Sequence, residues 1–326
     1  MVVQSKSSNA QINKITLKRI IKIMHTIDDY TSQIIEYILI YIIYIYLYLY
    51  LYQRIMANII NKVQLQSLIL QRYSYHNLDN TLFFECSHFR NPDLGKKQYD
   101  KSHIRGFAFM HLMNDLSEDG AQFNYTRPSS KKDMAEKLGK LGIKDTYQRI
   151  IICSRFVANN ETTPEGPPDM PLQRKVAIGM MTATRAWWVL RSWGFEDVHI
   201  LDGGVDVYKT YESGVQMTSK MDKYEAVEFD IDSLEDNVHL KATTEDVRNA
   251  IKDTDTTLLD TLPGWPDTAG SYLKAAGRKE AGGHIATAVN QQCFQLINEN
   301  GLFFSKSELT EKFKESFDIN KPVIAY

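Results

Sequence analysis

Three side chains in this sequence could act as sulfur nucleophiles, Cys86, Cys153 and Cys293, and their spacing limits what else they could do. They are odd in number, widely separated and contain no CxxC pair, so they supply neither a disulfide framework nor a metal knuckle. A reducing compartment is the simplest reading. Cys153 closes the apolar run RIIIC and is the best placed of the three as a nucleophile. The segment after Ser154, RFVANNETTPEGPPDMPLQRKVAIGMM, is too long for a compact cradle of amides. A free cysteine at a strand end packs more often than it reacts. Cys153 is therefore read as structural, as are Cys86 inside a strand and Cys293 just beyond one. Arg185 reads as a contact internal to the fold, and no metal-ligating set is present.

The elements that must position these residues form an α/β pattern. From Thr81 onward, short β-rich runs (TLFFECS, GFAFMHL, RIIICS, VHILDGG) alternate with helical stretches, the signature of a mainly parallel sheet. The stretch SSKKDMAEKLGKLGI offers Ser129 and Ser130 as caps and sets Met134, Leu138 and Leu141 on one helical face. TRAWWVLRSWGF brings Trp187, Leu190 and Trp193 together on another, stopping at Gly194. The pattern then restarts with the helix HLKATTEDVRNAIKD, the run TTLLDT ending near Asp260, GHIATAVN, the helix SKSELTEKFKESF capped at Ser305 or Ser307, and the strand PVIAY. The two halves align by landmarks: SHIRGFAF at 102–109 on GHIATAVN at 283–290, and RIIICS on PVIAY.

The first 55 residues differ from the rest. They are basic and free of acids up to Asp28, and the run from Tyr37 to Tyr52 consists only of Ile, Leu and Tyr. Two readings stand side by side, a signal anchor near the roughly 20 residues needed to cross a bilayer and low-complexity sequence. Met56 offers a second start, followed by a basic, acid-free stretch of the kind organellar presequences show. That start favours a mitochondrial address, with a cytoplasmic protein as the alternative. A formal net charge of -2 argues against nucleic acid as a partner, because binding it needs a basic excess on one face. A membrane is a partner only if the 37–52 run is an anchor.

From about residue 81 the chain resembles the tandem-domain rhodanese-like sulfurtransferases of the thiosulfate or 3-mercaptopyruvate type. The motifs that carry this are His103-Ile104-Arg105-Gly106 for the HIxGA of that family, LGKLGI, TRAWW, ILDGG ending at Gly204, Asp260, and Gly283-His284-Ile285 with Ala288-Val289-Asn290. The resemblance implies an α/β fold of two tandem modules, each a mainly parallel sheet flanked by helices. It divides the chain into a leader at 1–80, a non-catalytic module at 81–219, a linker at 220–240 and a second module at 241–326, incomplete at its end. It also implies movement of sulfane sulfur from thiosulfate or 3-mercaptopyruvate to a thiol or cyanide through a cysteine persulfide, with no cofactor.

In that family the nucleophile follows a strand like PVIAY, inside a loop whose backbone N–H groups stabilise the thiolate. Here Tyr326 is the last residue, so the cysteine expected directly after it is absent and no catalytic residue is assigned. Aligning Ile150–Cys153 on Val323–Tyr326 puts Ser154, not Cys153, at the nucleophile's position. Leu262 stands where an arginine usually follows the strand-ending aspartate, which leaves Arg278 and Lys223 as the substrate-binding candidates. A non-catalytic rhodanese-like binding or regulatory protein is the alternative. A phosphatase of the same fold would need a longer cradle ending in arginine, and the tandem plan speaks against it.

Overall fold

The computed structural model describes residues 59–60, 80–87, 92–119, 127–157, 169–210, 215–253, 255–261 and 284–326. The 37–52 run, Leu262, Arg278 and most of the insertion after Ser154 lie outside the described residues. Among those described, no helix is long and apolar enough to cross a membrane.

In chain order the first part contains β1 (Ile59–Ile60), β2 (Thr81–Glu85), α1 (Pro92–Lys101), β3 (His103–Ile104), β4 (Ala108–Phe109), α2 (Leu112–Leu116), α3 (Lys131–Lys140), β5 (Arg149–Cys153), α4 (Leu172–Ser192), β6 (Val198–Leu201), α5 (Gly204–Thr210) and β7 (Met217–Thr218). Five of these strands make a sheet in the order β1-β6-β5-β2-β4, parallel throughout. β3 and β7 form a separate antiparallel pair. The second part contributes α6 (Thr244–Lys252), β8 (Thr257–Asp260), β9 (Val289–Asn290), α7 (Lys306–Ser316) and β10 (Val323–Ala325), and its sheet is parallel in the order β10-β8-β9.

The unbroken apolar runs in β2 and β5 suit this architecture, since the strands of a parallel sheet are buried on both faces. Phe83, Phe84, Ile150, Ile151 and Ile152 are all buried. α3 begins where Ser130 accepts the Asp133 N–H at 3.0 Å, and it buries Met134 and Leu138 one turn apart. α4 reaches back to Leu172, well before the TRAWW motif, and puts Leu190 and Trp193 in the core with Trp187 half-buried. It stops at Gly194, whose φ of +95° lets the Phe195 N–H return to the Leu190 carbonyl at 3.2 Å. α7 starts with a capping box in which Ser305 and Glu308 satisfy each other's backbone N–H groups.

Two segments pack where the sequence suggests separate ones. Residues 220–240 lie along the first sheet's helices: the Val227 N–H bonds the Gly139 carbonyl at 3.0 Å, the Asp230 N–H bonds the Lys144 carbonyl at 2.7 Å, and Leu234 is fully buried. A Cβ at Gly139 would meet the Val227 oxygen at 2.5 Å, so only glycine permits that crossing. Ile59–Ile60, inside the span assigned to the leader, pair in parallel with Ile200–Leu201. An address peptide cleaved beyond residue 60 would take this edge strand with it.

Candidate functional site

In parallel α/β sheets, ligands bind beyond the carboxyl ends of the strands. In the first sheet those ends are Glu85, Phe109 and Cys153, with Glu85 opposite both others. In the second sheet Asp260 is opposite Asn290, and Leu259 opposite Ala325, so Asp260 faces Tyr326. The bonds just past the strands repeat in the same order. The Cys86 N–H donates to the Cys153 carbonyl at 2.8 Å and the Thr261 N–H to the Tyr326 carbonyl at 3.1 Å. The Met110 N–H donates to the Glu85 carbonyl at 3.0 Å and the Gln291 N–H to the Asp260 carbonyl at 2.9 Å. Tyr326 therefore corresponds to Cys153, and the residue corresponding to the position after Tyr326 is Ser154, as the sequence alignment of the two strands gives.

At the first sheet's end the chemistry is locked. Arg155 makes two 2.6 Å bonds to the Glu85 carboxylate, and both side chains are buried. Ser87 donates to the same carboxylate at 2.9 Å and accepts the Arg155 N–H at 3.0 Å. Ser154 is buried with its hydroxyl against the Met180 sulfur at 3.6 Å, which is a poor proton acceptor and no general base. Asp206 accepts the Phe156 N–H at 2.7 Å, and burial pushes its carboxyl up to about 6. A cavity of about 360 Å³ opens beside these groups, lined by Gln98, Arg155, Phe156, Lys175, Asp206 and Lys209 among others. Glu85, Arg155 and Asp206 were not singled out from sequence. An acid closing the otherwise apolar strand TLFFE was the available signal, because such a group needs a buried cation.

At the second sheet's end the frame is more open. The Tyr326 hydroxyl accepts the Ile285 N–H at 3.0 Å, and its carbonyl takes the Thr261 N–H and hydroxyl. Burial, with Asp260 nearby, raises its phenol. The Asn290 amide donates to the Asp260 carbonyl at 2.9 Å. Thr287, next to this cluster, has φ +67° and is the only non-glycine residue with positive φ among the described residues.

None of the three cysteines has the setting of a sulfur nucleophile. Burial pushes Cys86 and Cys153 well above the usual thiol range, and Glu85 adds to both. Burial also raises Cys293, which sits in a turn with its N–H on the Thr261 carbonyl. A nucleophilic thiol needs the opposite, a lowered pKa and access. Of the substrate-binding candidates, Arg278 lies outside the described residues. Lys223 is exposed, and its neighbours fasten it to the first sheet: Asp222 accepts the Gly106 N–H at 2.7 Å and the Tyr224 hydroxyl accepts the Phe83 N–H at 2.9 Å. Arg185 stacks on the Trp188 ring at 4.5 Å, an internal contact. Among the described residues no group of His, Cys, Asp or Glu is arranged to hold a metal ion.

The parallel sheets flanked by helices are those of the rhodanese fold. The solved structure of the 3-mercaptopyruvate sulfurtransferase SseA from Escherichia coli superposes with a TM-score of 0.59 at 19% identity, covering 82% of this chain and 87% of that one. The chain is a rhodanese-like relative of the 3-mercaptopyruvate and thiosulfate sulfurtransferases. It is 23% identical to 3-mercaptopyruvate sulfurtransferase of Homo sapiens over 241 residues, 72% of this chain and 70% of that protein. It is 24% identical to thiosulfate sulfurtransferase of Bos taurus over 235 residues, 71% of this chain and 68% of that protein. No family model matches the chain.

Proposed function

We propose that residues 81–219 and 241–326 are tandem rhodanese-like modules joined by the 220–240 linker, and that the protein moves sulfane sulfur from thiosulfate or 3-mercaptopyruvate to a small thiol or cyanide through a cysteine persulfide. The observation that carries this is the shared register, Glu85 opposite Cys153 and Asp260 opposite Tyr326. It supports two copies of one plan, in which the sulfur-carrying position is the counterpart of Ser154 in the second copy. The first copy is silent in this reading because a serine fills that position, buried against Met180, and Arg155 is already committed to Glu85.

In this mechanism a thiolate attacks the outer sulfur of the donor, the S–S or C–S bond of the donor breaks with its electrons leaving on sulfite or pyruvate enolate, and the persulfide sulfur is then taken by the acceptor. Backbone N–H groups after the strand would hold the anion, a role that needs no metal. Two measurements test the reading. A thiosulfate:cyanide assay with mass-spectrometric detection of persulfide, run on the chain to Tyr326, is expected to show neither turnover nor persulfide on Cys86, Cys153 or Cys293. Turnover lost on C86S, C153S or C293S overturns the placement of the nucleophile. Sequencing the transcript through the codon after Tyr326 is expected to give cysteine, and any other residue there overturns the persulfide mechanism.

A further inference from the structure

Two of the side chains lining the 360 Å³ cavity at the end of the first sheet are polar and buried beyond nine-tenths. Gln98, on α1, is 7% exposed, and its side-chain amide makes no hydrogen bond to any described residue. Only its backbone carbonyl is used, by the Arg155 Nη1 at 3.4 Å, the long end of the hydrogen-bond range. A buried amide without a partner destabilises a fold, so a core seldom keeps one for packing alone. Beside it Arg155, 4% exposed, spends Nε and Nη2 on Glu85 and retains an Nη1 proton that no described residue accepts.

The rest of the lining carries a positive excess. Lys175 stands in the first turn of α4 and makes no ion pair among the described residues, and Lys209 of α5 lies near Asp206. Arg155 and Glu85 cancel, and Asp206 offsets one of the two lysines, so one positive charge is left uncompensated. α4 adds to it. Its first turn holds no acid, and Pro171 at its N-cap offers the leading N–H groups no side-chain acceptor. A lysine there opposes the helix dipole, which favours an anion at that end. Phe156, Met170 and Leu172 make the remaining wall apolar.

We propose that this cavity binds a small organic carboxylate, its anion between Lys175, Lys209 and the Gln98 amide and its short carbon chain against Phe156, Met170 and Leu172. A monoanion matches the single uncompensated charge, whereas an inorganic dianion would add negative charge beside Asp206 and leave the apolar wall wet. The carboxylate supplies the acceptor that the Gln98 N–H groups lack within the fold. The lining residues all lie between Gln98 and Lys209. The proposal therefore rests on the first sheet alone and is independent of the sulfur chemistry.

The test titrates butanoate into the full chain, followed by saturation-transfer NMR. Saturable binding is expected, with none for butylamine, which has the same carbon chain and the opposite charge, and no displacement of butanoate by equal concentrations of inorganic phosphate or thiosulfate. Lys175→Gln is expected to weaken butanoate binding by about fivefold or more through loss of a charge-assisted bond. Gln98→Met fills the same space without an unpaired amide, so it is expected to weaken binding by about threefold or more while melting no lower than the parent. The proposal is overturned by an absence of saturation up to roughly 50 mM, by equal binding of butylamine, by displacement with phosphate or thiosulfate, or by unchanged binding in either variant. The ligand comparisons use the unsubstituted protein, so they decide the matter even where a variant fails to fold.

Discussion

Thr287 holds, in the second sheet, the left-handed backbone position that Gly106 holds in the first. Their φ angles are +67° and +92°, and each sits inside the same turn, closed by the Phe107 N–H on the Ile104 carbonyl at 3.1 Å and by the Ala288 N–H on the Ile285 carbonyl at 3.1 Å. Glycine adopts this conformation freely, whereas a β-branched residue is strained there by about 1–2 kcal/mol.

Thr287→Gly is therefore expected to stabilise the protein by about 0.5–1 kcal/mol, the relief of strain exceeding the extra freedom glycine gives the unfolded chain. The side chain is exposed, so little packing is lost. Urea unfolding midpoints of the two forms are the measurement, and a lower midpoint for the glycine form would show that the position is not strained.

This exchange was legible in the sequence, because laying SHIRGFAF on GHIATAVN puts Gly106 over Thr287. The strands of the first sheet were legible for a related reason, as apolar runs such as RIIIC have no amphipathic alternation and must be covered on both faces. Helix ends were legible at Ser130, Gly194 and Ser305, where the residue type itself makes the cap. What local pattern could not reveal was long-range pairing. Glu85 and Arg155 are 70 positions apart and meet only when β2 and β5 are adjacent. Lys223 was read as a substrate cation from its place in the linker, but the anchoring of Asp222 and Tyr224 to the first sheet sets where it lies. Ile59–Ile60 carry too short a pattern to read as a strand until β6 is beside them.

The Glu85–Arg155 pair is expected to behave as a coupled unit. With both groups buried and two 2.6 Å bonds between them, Glu85→Gln leaves a buried guanidinium without its counter-charge, at a cost of about 3–5 kcal/mol. Replacing both residues by methionine removes both charges and is expected to recover most of that loss, although the Ser87 hydroxyl then loses its acceptor. A double-mutant cycle by urea denaturation reads the coupling. Additive single losses, with no recovery in E85M/R155M, would show that the pair stabilises the fold through its separate contacts and not as an ion pair.

Asp202, the aspartate of ILDGG, should make stability fall with rising pH in a defined window. It accepts the Phe303 N–H at 2.9 Å, tying the β6 turn to the segment before α7, and burial pushes its carboxyl from an ordinary 3.8 up to about 6. Between those values the folded protein keeps a proton that the unfolded chain has released. Folding is therefore favoured by protons there, and this contribution to stability is lost as pH rises through about 6. Asp202→Asn stays neutral at every pH and retains an oxygen for the Phe303 N–H. Its stability relative to the parent should be near zero change below the lower pKa and should climb to a gain on the order of 1–2 kcal/mol above the upper one, a figure reduced for partial solvent access. Urea midpoints for both forms at a series of pH values spanning the window give the curve. A difference that is flat with pH, or greatest on the acid side, would mean that Asp202 is not carrying a raised carboxyl in the folded protein.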